Sequence, residues 1–137
     1  ARCRVEKRKS GLDVLFVDHL HLMPRKGVNE VAELDDITAR LKRLAMELQI
    51  HVVLVAQLNR ATEKQADKRP SLADLRGSGG IEQNANLVLM PYREGYYDSD
   101  APQETAELII AKNRDGERGV LDLKWEGHHQ RFADYEY

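Results

Sequence analysis

Two short apolar segments, Leu12–Val17 (LDVLFV) and Ile50–Val55 (IHVVLV), stand on either side of an amphipathic stretch. This arrangement constrains the fold more than any other feature. Each segment is short, nearly continuous and rich in β-branched or large apolar residues, which suits strands buried on both faces of a parallel sheet. Between them Leu34, Ile37, Leu41, Leu44 and Leu48 step by three and four, so one apolar stripe predicts a helix over 29–49. Glu30, Glu33, Asp35 and Asp36 crowd its first half, and Arg40, Lys42 and Arg43 its second, the order the helix dipole favours. Strand, helix, strand over a covered sheet is a right-handed βαβ unit.

The 137 residues suit one domain. No run of about 18 apolar residues exists to span a membrane. The first ten residues carry five basic side chains and no apolar core, so they do not read as a secretory signal. They fit the solvated C-terminal end of a helix, or a direct phosphate contact. The lone Cys3 has no partner for an internal disulfide, which points to a reducing compartment. The net charge of -2, from 21 basic and 23 acidic residues, excludes a highly basic nucleic-acid coat. Local charge decides such binding more than the global sum, and Arg69, Arg76, Lys112 and Arg114 are the cations that matter below.

Residues 58–80 are poor in apolar side chains and read as a long loop, with room for a helical piece. Asn86–Met90 is a third strand candidate. Glu107–Lys112 and Val120–Trp125 flank Arg114-Asp115-Gly116, and Asp-Gly between strand-forming segments predicts a hairpin. The aromatic tail, with Phe132, Tyr135 and Tyr137, is placed over the sheet edge, and Trp125 and Phe132 are read as core.

Four constellations carry possible chemistry. Asp18 ends the first strand, where ligands of open α/β sheets bind, and a carboxylate there can hold Mg²⁺ against a nucleotide phosphate. Such a residue also serves as a cap. Gln57 follows the neighbouring strand, where a neutral amide can orient water or sense a γ-phosphate, or simply leave the sheet. Arg76, Gly77, Ser78, Gly79 and Gly80 form a basic, glycine-rich turn into a short helix over 81–85. Its exposed backbone N–H groups suit phosphate oxygens, and a flexible loop is the plainer reading. Lys112 and Arg114 are two apart and share a face on a regular strand, as a triphosphate clamp or an ordinary basic hairpin end. Asp18, His19 and His21 could ligate a metal, although no second His/Cys cluster follows at a recognised spacing.

In this order the four pieces resemble the C-terminal ATPase domain of DnaB-type replicative DNA helicases. The resemblance runs from ARCRVEKRKSGLDVLFVDHLHLM through ARLKRLAMELQIHVVLVAQLNR and DKRPSLADLRGSGGIEQNANLVLMPYRE to AELIIAKNRDGERGVLDLKWEGHHQRF. It implies an α/β fold, the C-terminal portion of a RecA-like P-loop NTPase core. That core would be a single partial domain over 1–137 with a largely parallel sheet, flanking helices and an edge hairpin. It implies ATP and Mg²⁺ as cofactors, with Asp18 catalytic and holding the metal, and Gln57 coupling γ-phosphate state to the DNA-binding loops. Arg76, Gly77 and Gly79 would contact single-stranded DNA from the 58–80 loop. Lys112 and Arg114 would reach the neighbouring subunit's ATP, Arg114 as a catalytic finger. The implied parent is a cytoplasmic ring hexamer at the replication fork of a bacterial or phage-infected cell. It would move 5′ to 3′, with primase and a helicase loader as partners and no membrane.

The departures are specific. His19 and His21 stand where the family has an aromatic and a Gln, Gly77 where it has an acid, and Asn84 and Asn86 where it often has Asp. These point to a divergent branch. The GxxxxGK[ST] phosphate cradle is absent, and none of the nine glycines starts one. The expectation is therefore a partial chain that binds ATP weakly or not at all by itself. Three other readings remain: a non-catalytic DNA-binding or oligomerisation fragment, another RecA-like ATPase such as a recombinase or clock-type protein, and a metal-dependent hydrolase built on Asp18, His19 and His21.

Overall fold

The computed structural model describes residues 2–23, 29–59, 65, 67–75 and 79–135. They form two compact units, one of residues 1–58 with 75–85, the other of 59–74 with 86–137.

The first unit opens with α1 (Arg2–Lys9), whose last turn holds Lys7, Arg8 and Lys9 beside the negative end of the helix dipole. Lys7 Nζ also donates to the Leu12 carbonyl at 2.7 Å, which turns the chain into β1 (Val14–Val17). After a 3-10 turn at Leu20–Leu22 comes α2 (Glu30–Leu48), close to the span read from periodicity. Asn29 caps it by accepting the Ala32 N–H at 3.2 Å, and Gln49 ends it in the left-handed region at φ 51°. β2 (His51–Leu54) then pairs parallel with β1, from Val14 opposite His51 to Val17 opposite Leu54. α3 (Gly79–Asn84) packs on α2, starting two residues before the predicted helix. Among the described residues, Leu20, Leu34, Ile50, Leu75 and Ile81 are the buried apolar side chains of this unit.

β1 and β2 are not buried on both faces. Val14, Phe16, Val53 and Val55 are exposed, with Phe16 at 71%, while the alternate residues are half-buried. Among the described residues α2 lies against β2, which leaves the period-2 alternation of a one-sided sheet.

The second unit holds β3 (Leu87–Tyr92), β4 (Thr105–Asn113), β5 (Gly119–Glu126) and β6 (Arg131–Asp134), in that order and all antiparallel. The expectation of a largely parallel sheet is thus corrected: among the described residues parallel pairing is confined to β1 and β2. The connections explain the reversal. Parallel neighbours need a long crossover, usually a helix, whereas β3 and β4 are joined by residues 93–104 with only a 3-10 turn at Glu94–Tyr96. The predicted hairpin forms between β4 and β5, with Ile110 opposite Gly119. The tail supplies the edge strand β6. Phe132 is 42% exposed rather than core, and its ring sits 4.9 Å from that of Trp125.

In the 58–80 region the regular structure among the described residues is a 3-10 turn at Leu72–Asp74, an isolated bridge between Leu58 and Leu75, and the first two residues of α3. Buried Asp74 holds the turn by accepting from the Ser71 backbone at 2.8 Å and from its hydroxyl at 2.7 Å.

Candidate nucleotide and DNA site

Asp18 leaves the carboxyl end of β1 and Gln57 lies three residues beyond β2. Two backbone bonds hold the strand ends together: the Val55 N–H reaches the Val17 carbonyl at 3.0 Å, and the Leu20 N–H reaches that of Val55 at 2.9 Å. The sheet therefore delivers the acid and the amide to one end of one strand pair. The Asp18 side chain is 83% exposed, open to a hydrated cation, with His19 Nδ1 3.8 Å from Oδ1. Gln57 is exposed as well. Among the described residues no group of three or more His, Cys, Asp or Glu side chains could by itself hold a metal ion. Asp18 fits a metal shared with phosphate oxygens and water, as Mg²⁺ prefers.

Arg76 and Gly77 lie outside the described residues. Gly79 is the first residue of α3 and is exposed, with open space where a Cβ would stand. At Gly80 a Cβ would meet the backbone of Asp35 at 2.7 Å from its Cα, so α3 approaches α2 too closely there for any side chain. The Gly80 N–H donates to Asp35 Oδ1 at 2.7 Å, and Asn84 Nδ2 donates to Thr38 Oγ1 at 3.1 Å. The sequence names Asp35 only as a helix acid and Asn84 only as a departure from the family pattern, and gives Thr38 no role. The legible half of the contact is the Gly79–Gly80 pair, which has no side chain to cap its own helix.

Lys112 and Arg114 belong to the second unit. Lys112 is half-buried on β4 opposite Val88, and exposed Arg114 sits one residue beyond the strand, its N–H bonded to the Asn86 carbonyl at 2.8 Å. Arg69, grouped by sequence with the site cations, is held within its own unit. It forks onto Glu107 at 2.9 and 2.7 Å and stacks 5.2 Å over the Tyr92 ring. The Glu107 hydrogen bond raises the Arg69 pKa, and burial raises that of the Tyr92 phenol.

An acid and an amide at the carboxyl ends of adjacent parallel strands, joined by a covering helix, are the arrangement of an α/β core whose ligands bind at the strand ends. The chain belongs to the family described as DnaB-like helicase C terminal domain, whose model matches residues 1–134. It is 41% identical over 137 residues to the replicative DNA helicase DnaB of Leifsonia xyli, covering 98% of this chain and 30% of that protein. It is 39% identical over 140 residues to the replicative DNA helicase DnaC of Bacillus subtilis, covering 99% and 31%. The chain thus spans about a third of the relatives it matches. Among solved structures, one described as an ATPase domain superposes with a TM-score of 0.90 at 36% identity, covering 98% of this chain and 49% of that one. A DnaB-like replicative helicase, described together with its interactions with primase, superposes at 0.87 with 33% identity, covering 98% and 33%.

Proposed function

We propose that these residues form part of the motor domain of an ATP-dependent replicative DNA helicase, as a single partial RecA-like domain. The parent protein is a ring hexamer that unwinds duplex DNA by moving 5′ to 3′ on single-stranded DNA in the cytoplasm. The observation that carries the reading is the placement of Asp18 and Gln57 at one end of the β1–β2 pair, in a chain of this family. Asp18 would hold Mg²⁺ with ATP, where the cation neutralises charge developing on the phosphates. Its exposed carboxylate is free to accept hydrogen bonds from metal-bound water. Gln57, three residues beyond the neighbouring strand, would orient the attacking water and sense whether a γ-phosphate is present. Lys112, near the end of β4, and Arg114, one residue beyond it, would offer cations to the nucleotide of a neighbouring subunit. Arg76, Gly77 and Gly79 contact DNA phosphates from the 58–80 loop, so binding is steeply salt-dependent and reads bases little. Primase and a helicase loader are the proposed protein partners, the first supported by the solved DnaB-like helicase described with primase.

The test is Asp18→Asn in the full-length protein. Mg²⁺-dependent ATP hydrolysis should fall by at least about 100-fold with the ring intact by mass, because positioned charge supplies most of the catalysis. Near-normal hydrolysis would remove Asp18 from the site. The absence of a phosphate cradle from these 137 residues supports a second reading, a non-catalytic DNA-binding or oligomerisation fragment. Calorimetry separates the two. The motor reading expects no micromolar ATP binding by this chain alone and tight binding by the full-length protein, whereas a non-catalytic protein binds ATP in neither form.

A further inference from the structure

We infer that Asp35 is the positioning residue that fixes Gly79, where α3 takes over from the DNA loop, relative to the strands leading to Asp18 and Gln57; this rests on the reading of residues 76–79 as DNA contacts. α3 begins at Gly79, directly after Arg76, Gly77 and Ser78, so the frame of α3 sets where that loop ends. A helix of six residues has few internal hydrogen bonds, and its first-turn N–H groups need acceptors from elsewhere. Gly79 and Gly80 supply none. Asp35 does, accepting the Gly80 N–H at 2.7 Å from 45 residues away in sequence.

The same turn of α2 holds the other end of α3. Thr38, 4% exposed, accepts from Asn84 Nδ2 at 3.1 Å while its own hydroxyl donates to the Asp35 carbonyl at 3.0 Å. Asp35 and Thr38 are three apart and share a helix face, so two side chains on one turn grip both ends of α3. Gly80 completes the fit, because any Cβ there would strike Asp35. α2 is the segment between the strand that ends at Asp18 and the strand that leads to Gln57. The Asp35–Gly80 bond therefore joins the stem of the loop to the element connecting the two nucleotide-site strands.

The experiment uses the full-length protein loaded with Mg²⁺ and a non-hydrolysable ATP analogue, with binding of fluorescein-labelled oligo-dT read by anisotropy. Asp35→Ala should weaken binding by roughly tenfold, the fold-change of one charge-assisted hydrogen bond. The DNA concentration giving half-maximal ATPase stimulation should rise by the same factor. The DNA-independent rate and the rate at saturating DNA should stay within about twofold, the range of a surface substitution. Asp35→Asn keeps an acceptor oxygen and should restore most of the binding. Gly80→Ala, approaching from the other side of the contact, should reproduce the loss.

Binding by Asp35→Ala within about twofold of wild type would overturn the inference. Loss of ring assembly or DNA-independent hydrolysis would overturn it too, since Asp35 would then support the fold as a whole. Arg76→Ala separates the two levels. If it leaves binding unchanged, the DNA reading of the loop fails and the inference with it; if it weakens binding while Asp35→Ala does not, only the inference fails.

Discussion

The guanidinium of Arg69 grips the carboxylate of Glu107 with two parallel hydrogen bonds, Nε to Oε2 at 2.9 Å and Nη2 to Oε1 at 2.7 Å. The residues are 38 apart in sequence, so the pair ties the segment before Pro70 to β4. Tyr92, opposite Glu107 in the β3–β4 register, lies under the same guanidinium. The planar fork and the stacking both require arginine, which lysine cannot replace. The Arg69 side chain is 44% exposed and Glu107 22%, so solvent screening lowers the worth of the pair. A double-mutant cycle with Arg69→Ala and Glu107→Ala, read by urea denaturation, should return a coupling of about 1 kcal/mol, and Arg69→Lys should lose most of it. A coupling near zero would show that the contact adds nothing in solution.

The exposed Arg4–Glu47 pair gives stability a defined acid dependence. Arg4 donates to both Glu47 oxygens, at 2.6 and 2.7 Å, and these bonds hold the Glu47 pKa below its ordinary value of 4.5. A depressed folded-state value means that the carboxylate stabilises the fold above pH 4.5, and that this part is lost as pH falls through the lower folded value. Glu126 behaves alike through Arg131 at 2.6 Å. Stability profiles should lose part of their acid slope in Glu47→Gln and a separate part in Glu126→Gln. High salt should weaken both effects. Unchanged profiles would mean that neither pair persists in solution.

Leu34 and Phe16 make a contrast between two large apolar residues of the first unit. Leu34 is fully buried and Phe16 is 71% exposed. Leu34→Ala should cost about 3 kcal/mol, through lost transfer energy plus a cavity. Phe16→Ala should cost less than about 1 kcal/mol in this chain, since little of the ring leaves water. Denaturation of both variants checks the order, and a reversal would contradict the packing of α2.

Mixed rings test whether Asp18 and Arg114 act on one nucleotide from two subunits. Full-length Asp18→Asn and Arg114→Ala proteins should each be inactive. Mixed in equal amounts, about a quarter of the interfaces would combine an intact Asp18 with an intact neighbouring Arg114, because the contact is head-to-tail. Recovery of ATPase on mixing is the expected result. No recovery in rings shown by mass to be mixed would place both residues on the same subunit's site.

The helix over 29–49 was legible because its determinants are local: a 3.6-residue apolar period and acids ahead of bases along its length. The β4–β5 hairpin was legible for the same reason, through Asp115-Gly116. Strand order was less so. β3 looks like one more strand of a parallel sheet, and only its link to β4 makes it antiparallel. Phe132 looked like core by composition, yet an edge strand leaves its ring partly in water.

Residue types and spacings by themselves determined the β1–α2–β2 unit, the β4–β5 hairpin and the family those spacings resemble. Tertiary structure decided which face of β1 and β2 is covered, that Arg69 is bound to Glu107, and that Asp35 meets Gly80 across 45 residues. The division has one physical cause. Periodicity and capping act within a few residues, whereas a hydrogen bond between distant segments exists only once packing has brought their backbones together.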